Sequence, residues 1–207
     1  MNPPSFGRRY YALRHGQSLA NEQGLIVSDP ERGATAYGLT ARGREQVCAS
    51  IAACGSLDRE LRILSSPLLR ARESARLAQR LIGCAAPIVD ARLRERGFGT
   101  LEGGSDACYA EIWAHDALDA SSAPHGVESA QAVRTRVLEL LCELERQPAG
   151  PTILLVAHGD TIQILWTVFA GLGAGEHRRR AALRPGQLVE LGAPRPRNPV
   201  DRRTRAL

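Results

Sequence analysis

The sequence predicts an α/β protein, a three-layer α/β/α sandwich on a mostly parallel sheet, and three observations carry that prediction. Short apolar runs recur along the chain, helical patterns lie between them, and 207 residues with 43% apolar content suit one large domain. Four runs read as buried strands: Tyr10 to Leu13, Leu61 to Leu64, Pro87 to Val89 with a continuation to Leu93, and Thr152 to Ala157 (TILLVA). A fifth, Gln187 to Leu191, alternates and reads as an edge strand.

The helices follow in order. Thr40 caps one whose inner face carries Val47, Ile51 and Cys54. Ser66-Pro67 is an N-cap and first-turn pair, which places Arg70 early in the next helix. Val133, Val137, Leu140, Leu141 and Leu144 mark a third, with arginines and glutamates opposite. The last begins at Gly159 or Asp160, carries Ile162, Leu165, Trp166, Phe169 and Leu172, and stops in the glycine-rich AGLGAG. Two polar, glycine-bearing connections, 21–38 and 105–126, are longer than usual and read as lids over a site or as poorly ordered chain. Residues 1–192 are expected to form the single domain; 193–207, rich in proline and arginine without periodicity, are expected to be a disordered tail.

Composition removes several classes of function. No apolar run approaches the roughly 20 residues of a membrane helix, and the N-terminus shows no secretory signal, so the expected location is the cytoplasm, with no membrane partner. Cys48, Cys54, Cys84, Cys108 and Cys142 form no CxxC pair and suit reduced thiols, and no metal is expected. All 27 basic residues are arginine, which excludes lysine Schiff bases and a P-loop lysine. In a lysine-free protein the net charge of +5 is weak support for binding nucleic acid, and no such partner is expected. No motif specifies an oligomeric state.

The chemically suggestive residues cluster at one edge. Arg14 and His15 follow the first strand, Arg70 the second, Glu95 the third, and His158 closes TILLVA. All lie beyond carboxyl ends of strands, where open α/β sheets bind ligands. Two arginines, two imidazoles and a carboxyl are what phosphoryl transfer through histidine requires. Arginine forks hold the phosphoryl oxygens, a neutral imidazole attacks phosphorus, and a carboxylic acid protonates the departing alkoxide. Gln17, Ser18 and Asn21 offer further hydrogen bonds, and the backbone at Gly159 suits an anion at a helix start.

Each residue also has an ordinary reading. His15 alone suits a turn or a satisfied core position; Arg14 and Glu95 suit surface ion pairs, and Arg70 sits among Arg72, Arg76 and Arg80 on a solvated helix. Only their convergence favours a site. His125 and Glu128 either reach it from a lid or, for Glu128, serve a helix start. His115 and His177 read as surface, and His177 to Arg180 (HRRR) as a solvated face.

With these residues in place, the chain resembles the histidine phosphatase superfamily, in its phosphoglycerate mutase-like branch. Arg14-His15-Gly16 matches the RHG signature, extended by Gln17-Ser18 and Asn21, and Leu39 to Gln46 (LTARGREQ) is similar to LTxxGxxQ. SSPLLRARESA holds the second arginine at Arg70, LRERGFGTLEG the acid at Glu95, and VAHGD the second histidine at His158. The resemblance implies an antiparallel edge strand in the sheet and neither metal nor organic cofactor. It also implies His15 as the phosphorylated nucleophile, Glu95 as proton donor, Arg14, Arg70 and His158 as the phosphate pocket, and Asn21 as an accessory contact.

The expected activity is therefore a metal-independent phosphatase acting on a small phosphorylated metabolite. Phosphoglycerate mutase activity is the first alternative. The stretch after the acid, 103–126, contains neither lysine nor arginine to hold a second charged end of a substrate, which favours hydrolysis. A non-catalytic phosphate- or phosphoprotein-binding module is the second alternative, disfavoured because a binder needs neither acid nor nucleophile.

Overall fold

Alternating apolar residues give the central sheet two buried faces, and helices cover both. The computed structural model describes residues 6–147, 150 and 152–192. Strands β1 (Tyr10–Arg14), β2 (Arg62–Ser65), β3 (Ile88–Val89), β4 (Ile153–Ala157) and β5 (Leu188–Gly192) lie in the order β3-β2-β4-β1-β5. All neighbours are parallel except β5, which runs antiparallel to β1 at one edge.

The helices are α1 (Leu19–Glu22), α2 (Pro30–Thr35), α3 (Ala41–Ala52), α4 (Leu69–Ile82), α5 (Tyr109–Leu118), α6 (Ala130–Arg146) and α7 (Gly159–Ala170). Tyr10, Ala12, Ile153, Leu155 and Ala157 face α6 and α7, where Val137, Leu140, Leu141, Leu144, Ile162 and Leu165 complete the core. Tyr11, Leu13, Ile63, Leu154 and Val156 face α3 and α4, meeting Val47, Ile51, Ala71, Ala75 and Ala78. The period of two along each strand thus feeds two separate cores. None of the described helices is long and apolar enough to cross a membrane.

Several local expectations change. The third strand is only two residues long; its expected continuation is a 3-10 turn, Ala91–Leu93, capped by Asp90, whose side chain accepts from Arg92 N–H. Ser66-Pro67 does not open α4. The cap position is Leu68, and Ser66 Oγ accepts its N–H at 3.2 Å. Both long connections are built rather than loose. Residues 21–38 contain α2, capped by Asp29 with Pro30 in its first turn, and 105–126 contain α5. The tail from residue 193 lies outside the described residues.

Candidate active site

Sheet register assembles the site. Arg14 pairs with Ala157, so His15 and His158 leave adjacent parallel strands at the same level, with ring centroids 5.1 Å apart. His15 N–H still donates to Ala157 O at 3.0 Å, which fixes the first residue beyond β1. Ser66, one residue beyond β2, donates its N–H to Val156 O at 2.9 Å and brings its hydroxyl to the same edge. Arg70 arrives from the first turn of α4 and Glu95 from the loop after β3. The structure therefore gathers Arg14, His15, Arg70, Glu95 and His158 in one place.

His15 is nearly inaccessible, at 2% exposure. Its Nδ1 faces Gly16 O at 2.7 Å, and because a carbonyl only accepts, Nδ1 carries the proton and Nε2 the lone pair. Arg70 Nε donates to Nε2 at 3.1 Å, while its Nη2 donates to Val27 O at 2.8 Å. Burial, then the Arg70 and Arg14 charges, holds the His15 imidazole well below its usual range and keeps it neutral.

His158 is wholly buried, and the same forces hold it neutral: burial first, then Arg70. Its Nε2 lies 2.7 Å from Ser66 Oγ. Ser66 Oγ also accepts from Leu68 N–H, and a hydroxyl proton given to His158 Nε2 would leave the ring proton on Nδ1. His158 Nδ1, Arg14 Nε and Arg70 Nη1 are buried without a hydrogen-bond partner. An anion would satisfy such donors.

Glu95 has the opposite balance. Burial, then the Asp160 carboxylate, pushes its carboxyl above the usual range, against the pull of Arg96 N–H, Arg70 and Arg14. Its Oε1 accepts from Arg96 N–H at 2.9 Å and Thr161 N–H at 3.3 Å. Half-buried Arg14 donates to Leu183 O, and a Cβ added at Gly159 would sit 3.5 Å from Arg14 Cζ, so the guanidinium lies against the start of α7.

The remaining candidates take supporting positions. Ser18 caps α1 and exchanges bonds with Asn21, whose Oδ1 accepts from Ser18 N–H at 3.2 Å and from its hydroxyl at 3.1 Å. Gln17 Oε1 accepts from Thr40 Oγ1 at 3.0 Å, and Gln17 N–H donates to Gln46 Oε1 at 2.9 Å. These bonds tie the RHG loop to α3. A Cβ on Gly43 would meet Gln17 O at 2.0 Å, and one on Gly16 would meet Gly43 O at 2.1 Å, so both positions require glycine for close backbone approach.

His125 is exposed, with Nε2 3.3 Å from Glu111 Oε1. Glu128 neither approaches the site as a lid nor caps a helix; Ser129 caps α6. Instead Glu128 binds Arg94 at 2.7 Å, Arg136 at 2.9 Å and Gly97 N–H at 3.2 Å, bracing the loop that carries Glu95. His177 is a clear correction to the surface reading. It is fully buried, with Nδ1 2.9 Å from Ala174 O and Nε2 3.7 Å from Asp116 Oδ2. Arg178 is half-buried too, its guanidinium 3.5 Å over the Trp113 ring centroid.

Sequence reasoning missed three contributors. Ser66 orients His158, Ser74 Oγ accepts Gly16 N–H at 3.2 Å, and Thr161 holds Glu95. Each is a small hydroxyl residue: Ser66, read only as a helix cap, and Ser74 lie inside SSPLLRARESA, and Thr161 directly follows VAHGD.

The probable phosphoglycerate mutase GpmB of Klebsiella pneumoniae is 31% identical over 175 residues, 82% of this chain and 78% of that protein. A mycobacterial glucosyl-3-phosphoglycerate phosphatase, solved in complex with VO3, matches with a TM-score of 0.74 and 28% identity over 88% of this chain and 92% of that one. The alpha-ribazole phosphatase from Shigella flexneri gives 0.70 and 27% over 87% and 88%. A family profile covers residues 10–202, enclosing every residue gathered at the strand ends, and by that match the chain belongs to the histidine phosphatase superfamily, branch 1.

Proposed function

We propose that the protein is a metal-independent phosphatase that hydrolyses a small phosphomonoester through a phosphohistidine on His15. The observation that carries this reading is the set of buried, unpartnered polar atoms beside His15: Arg14 Nε, Arg70 Nη1 and His158 Nδ1. Two guanidiniums and a neutral imidazole N–H match the oxygens of a phosphoryl dianion.

In this reading the substrate phosphoryl oxygens take up the Arg70 and Arg14 donors, and the His15 Nε2 lone pair is released from Arg70 Nε. Nε2 attacks phosphorus in line, the phosphorus–oxygen bond to the leaving group breaks, and Glu95 delivers its proton to the departing oxygen. Glu95, now a carboxylate, takes a proton from water. The water oxygen attacks phosphorus, the phosphorus–nitrogen bond breaks, and inorganic phosphate leaves. Arg14 and Arg70 remain fixed throughout and stabilise the charge that builds on the equatorial oxygens. The named relatives act on phosphorylated small metabolites, which supports the same substrate class here.

Brief exposure to a radiolabelled phosphomonoester, followed by denaturation, should leave acid-labile phosphate on His15. Undiminished turnover by His15→Ala would overturn the reading. The mutase alternative draws on the GpmB relatives and on Arg178, a cation outside the 103–126 stretch that the fold brings beside Trp113. Interconversion of phosphoglycerates without release of phosphate would establish it in place of hydrolysis.

A further inference from the structure

Two dipeptides clamp each other across the acid end of the site. Thr161 donates its N–H to Glu95 Oε1 at 3.3 Å, while Arg96, the residue after Glu95, places Nη1 3.6 Å from Asp160 Oδ2, the residue before Thr161. Arg96 N–H adds a second donor on Glu95 Oε1 at 2.9 Å. The Thr161 hydroxyl lies 3.1 Å from the same oxygen and 2.8 Å from Arg94 O. Two backbone donors make Oε1 the less basic oxygen, and Oε2 has no hydrogen-bond partner among the described residues. A proton on Glu95 therefore belongs on Oε2.

Asp160 is buried, with Arg96 its nearest cation at 3.6 Å and Arg14 and Arg178 also within electrostatic reach. Both of its oxygens accept from Trp113 Nε1–H at 3.0 Å, a neutral donor. Arg96 spends its fork on Asp116, at 2.6 and 2.7 Å, and Arg178 is committed to the Trp113 face and to the Gln163 side chain. A carboxylate disfavours a second negative charge nearby.

We propose that Asp160 is a positioning residue for the general acid: its charge holds the proton on Glu95, and Thr161 directs that proton to Oε2. The inference rests on the reading of Glu95 as the acid. The groups facing Glu95 come from every surrounding element: Arg14 from β1, Arg70 from α4, Tyr109 from α5, Asp160 and Thr161 from α7, and Arg136 from α6, whose Nη2 donates to Glu95 O at 3.4 Å. Burial and Asp160 raise the proton affinity of Glu95, while Arg14 and Arg70 lower it. A bound phosphoryl dianion neutralises those same two arginines. Asp160 then prevails at the moment the proton is needed.

The test is the pH dependence of kcat/KM with glycerol 2-phosphate, whose alkoxide leaving group needs a proton, and with p-nitrophenyl phosphate, whose leaving group does not. Asp160→Asn, which keeps shape and removes charge, should move the alkaline limb about one pH unit lower. That is about a tenfold loss on the alkaline side with glycerol 2-phosphate, and a smaller loss with p-nitrophenyl phosphate. Retained binding of inorganic phosphate by Asp160→Asn shows that the variant is folded. An unmoved limb in that folded variant overturns the inference while leaving Glu95 as the acid. A limb that persists in Glu95→Gln overturns the acid assignment itself, and the inference with it.

Discussion

Replacing Ser66 with alanine removes one oxygen that serves two buried groups at once. The hydroxyl accepts from Leu68 N–H at 3.2 Å and hydrogen-bonds His158 Nε2 at 2.7 Å, and all three residues are fully buried. Alanine leaves a backbone donor and an imidazole nitrogen without partners at positions closed to solvent. Each orphaned group costs about 1–3 kcal/mol, so the variant should lose roughly 2–6 kcal/mol of stability. It also loses the bond that keeps the His158 proton on Nδ1, so phosphate affinity should fall about tenfold, in line with a hydrogen bond to a charged group. Urea unfolding gives the first quantity and competitive inhibition by inorganic phosphate the second. A stability change within about 0.5 kcal/mol, the range of an ordinary surface substitution, together with unchanged inhibition, would refute the role assigned to Ser66.

Gly43→Ala should destabilise the protein by about 1–3 kcal/mol, because its Cβ meets a backbone oxygen rather than a movable side chain. Displacing the His15 loop should also cost roughly 10²-fold in kcat, measured on material confirmed as folded. Glu95→Gln should reduce turnover of an alkyl phosphate by roughly 10²–10⁴-fold and phosphorylation by p-nitrophenyl phosphate far less; equal losses would remove Glu95 from proton donation. Stability should fall as pH drops below about 6.5, because His15, His158 and His177 are all held neutral in the fold and take up protons once unfolded. Three such groups give a slope approaching about 4 kcal/mol per pH unit, and Glu95, shifted upward, opposes it by taking up one proton in the native state. Denaturation midpoints that stay flat between pH 7 and pH 5 would contradict the buried neutral histidines.

The sheet and the central site were legible because strand pattern and chemistry coincide. Tyr10 to Leu13 and TILLVA are uninterrupted apolar runs, and each ends in a histidine at the same register level. Elsewhere the pattern carried less. Helix α5, YAEIWAHDAL, buries Ile112 and Asp116 while exposing most of its length, and a polar residue on the inner face erases the amphipathic signal. His177 looked solvated because it stands beside three arginines, yet Asp116 and Ala174 O face its two nitrogens in the interior. The role of Ser66 depends on β2 and β4 lying side by side, a contact between residues 92 positions apart that no local window contains.

Helix α5 lies in the long 105–126 connection, and here it is wired into the acid end of the candidate site. Arg96 holds Asp116, and Trp113 holds Asp160, so the helix shares buried charges with the loop and helix that carry the acid. Transplanting the corresponding helix from another phosphatase to alter substrate choice would sever both links. A successful chimera must carry tryptophan and aspartate at those two positions, or import Arg96 and Asp160 replacements with the graft.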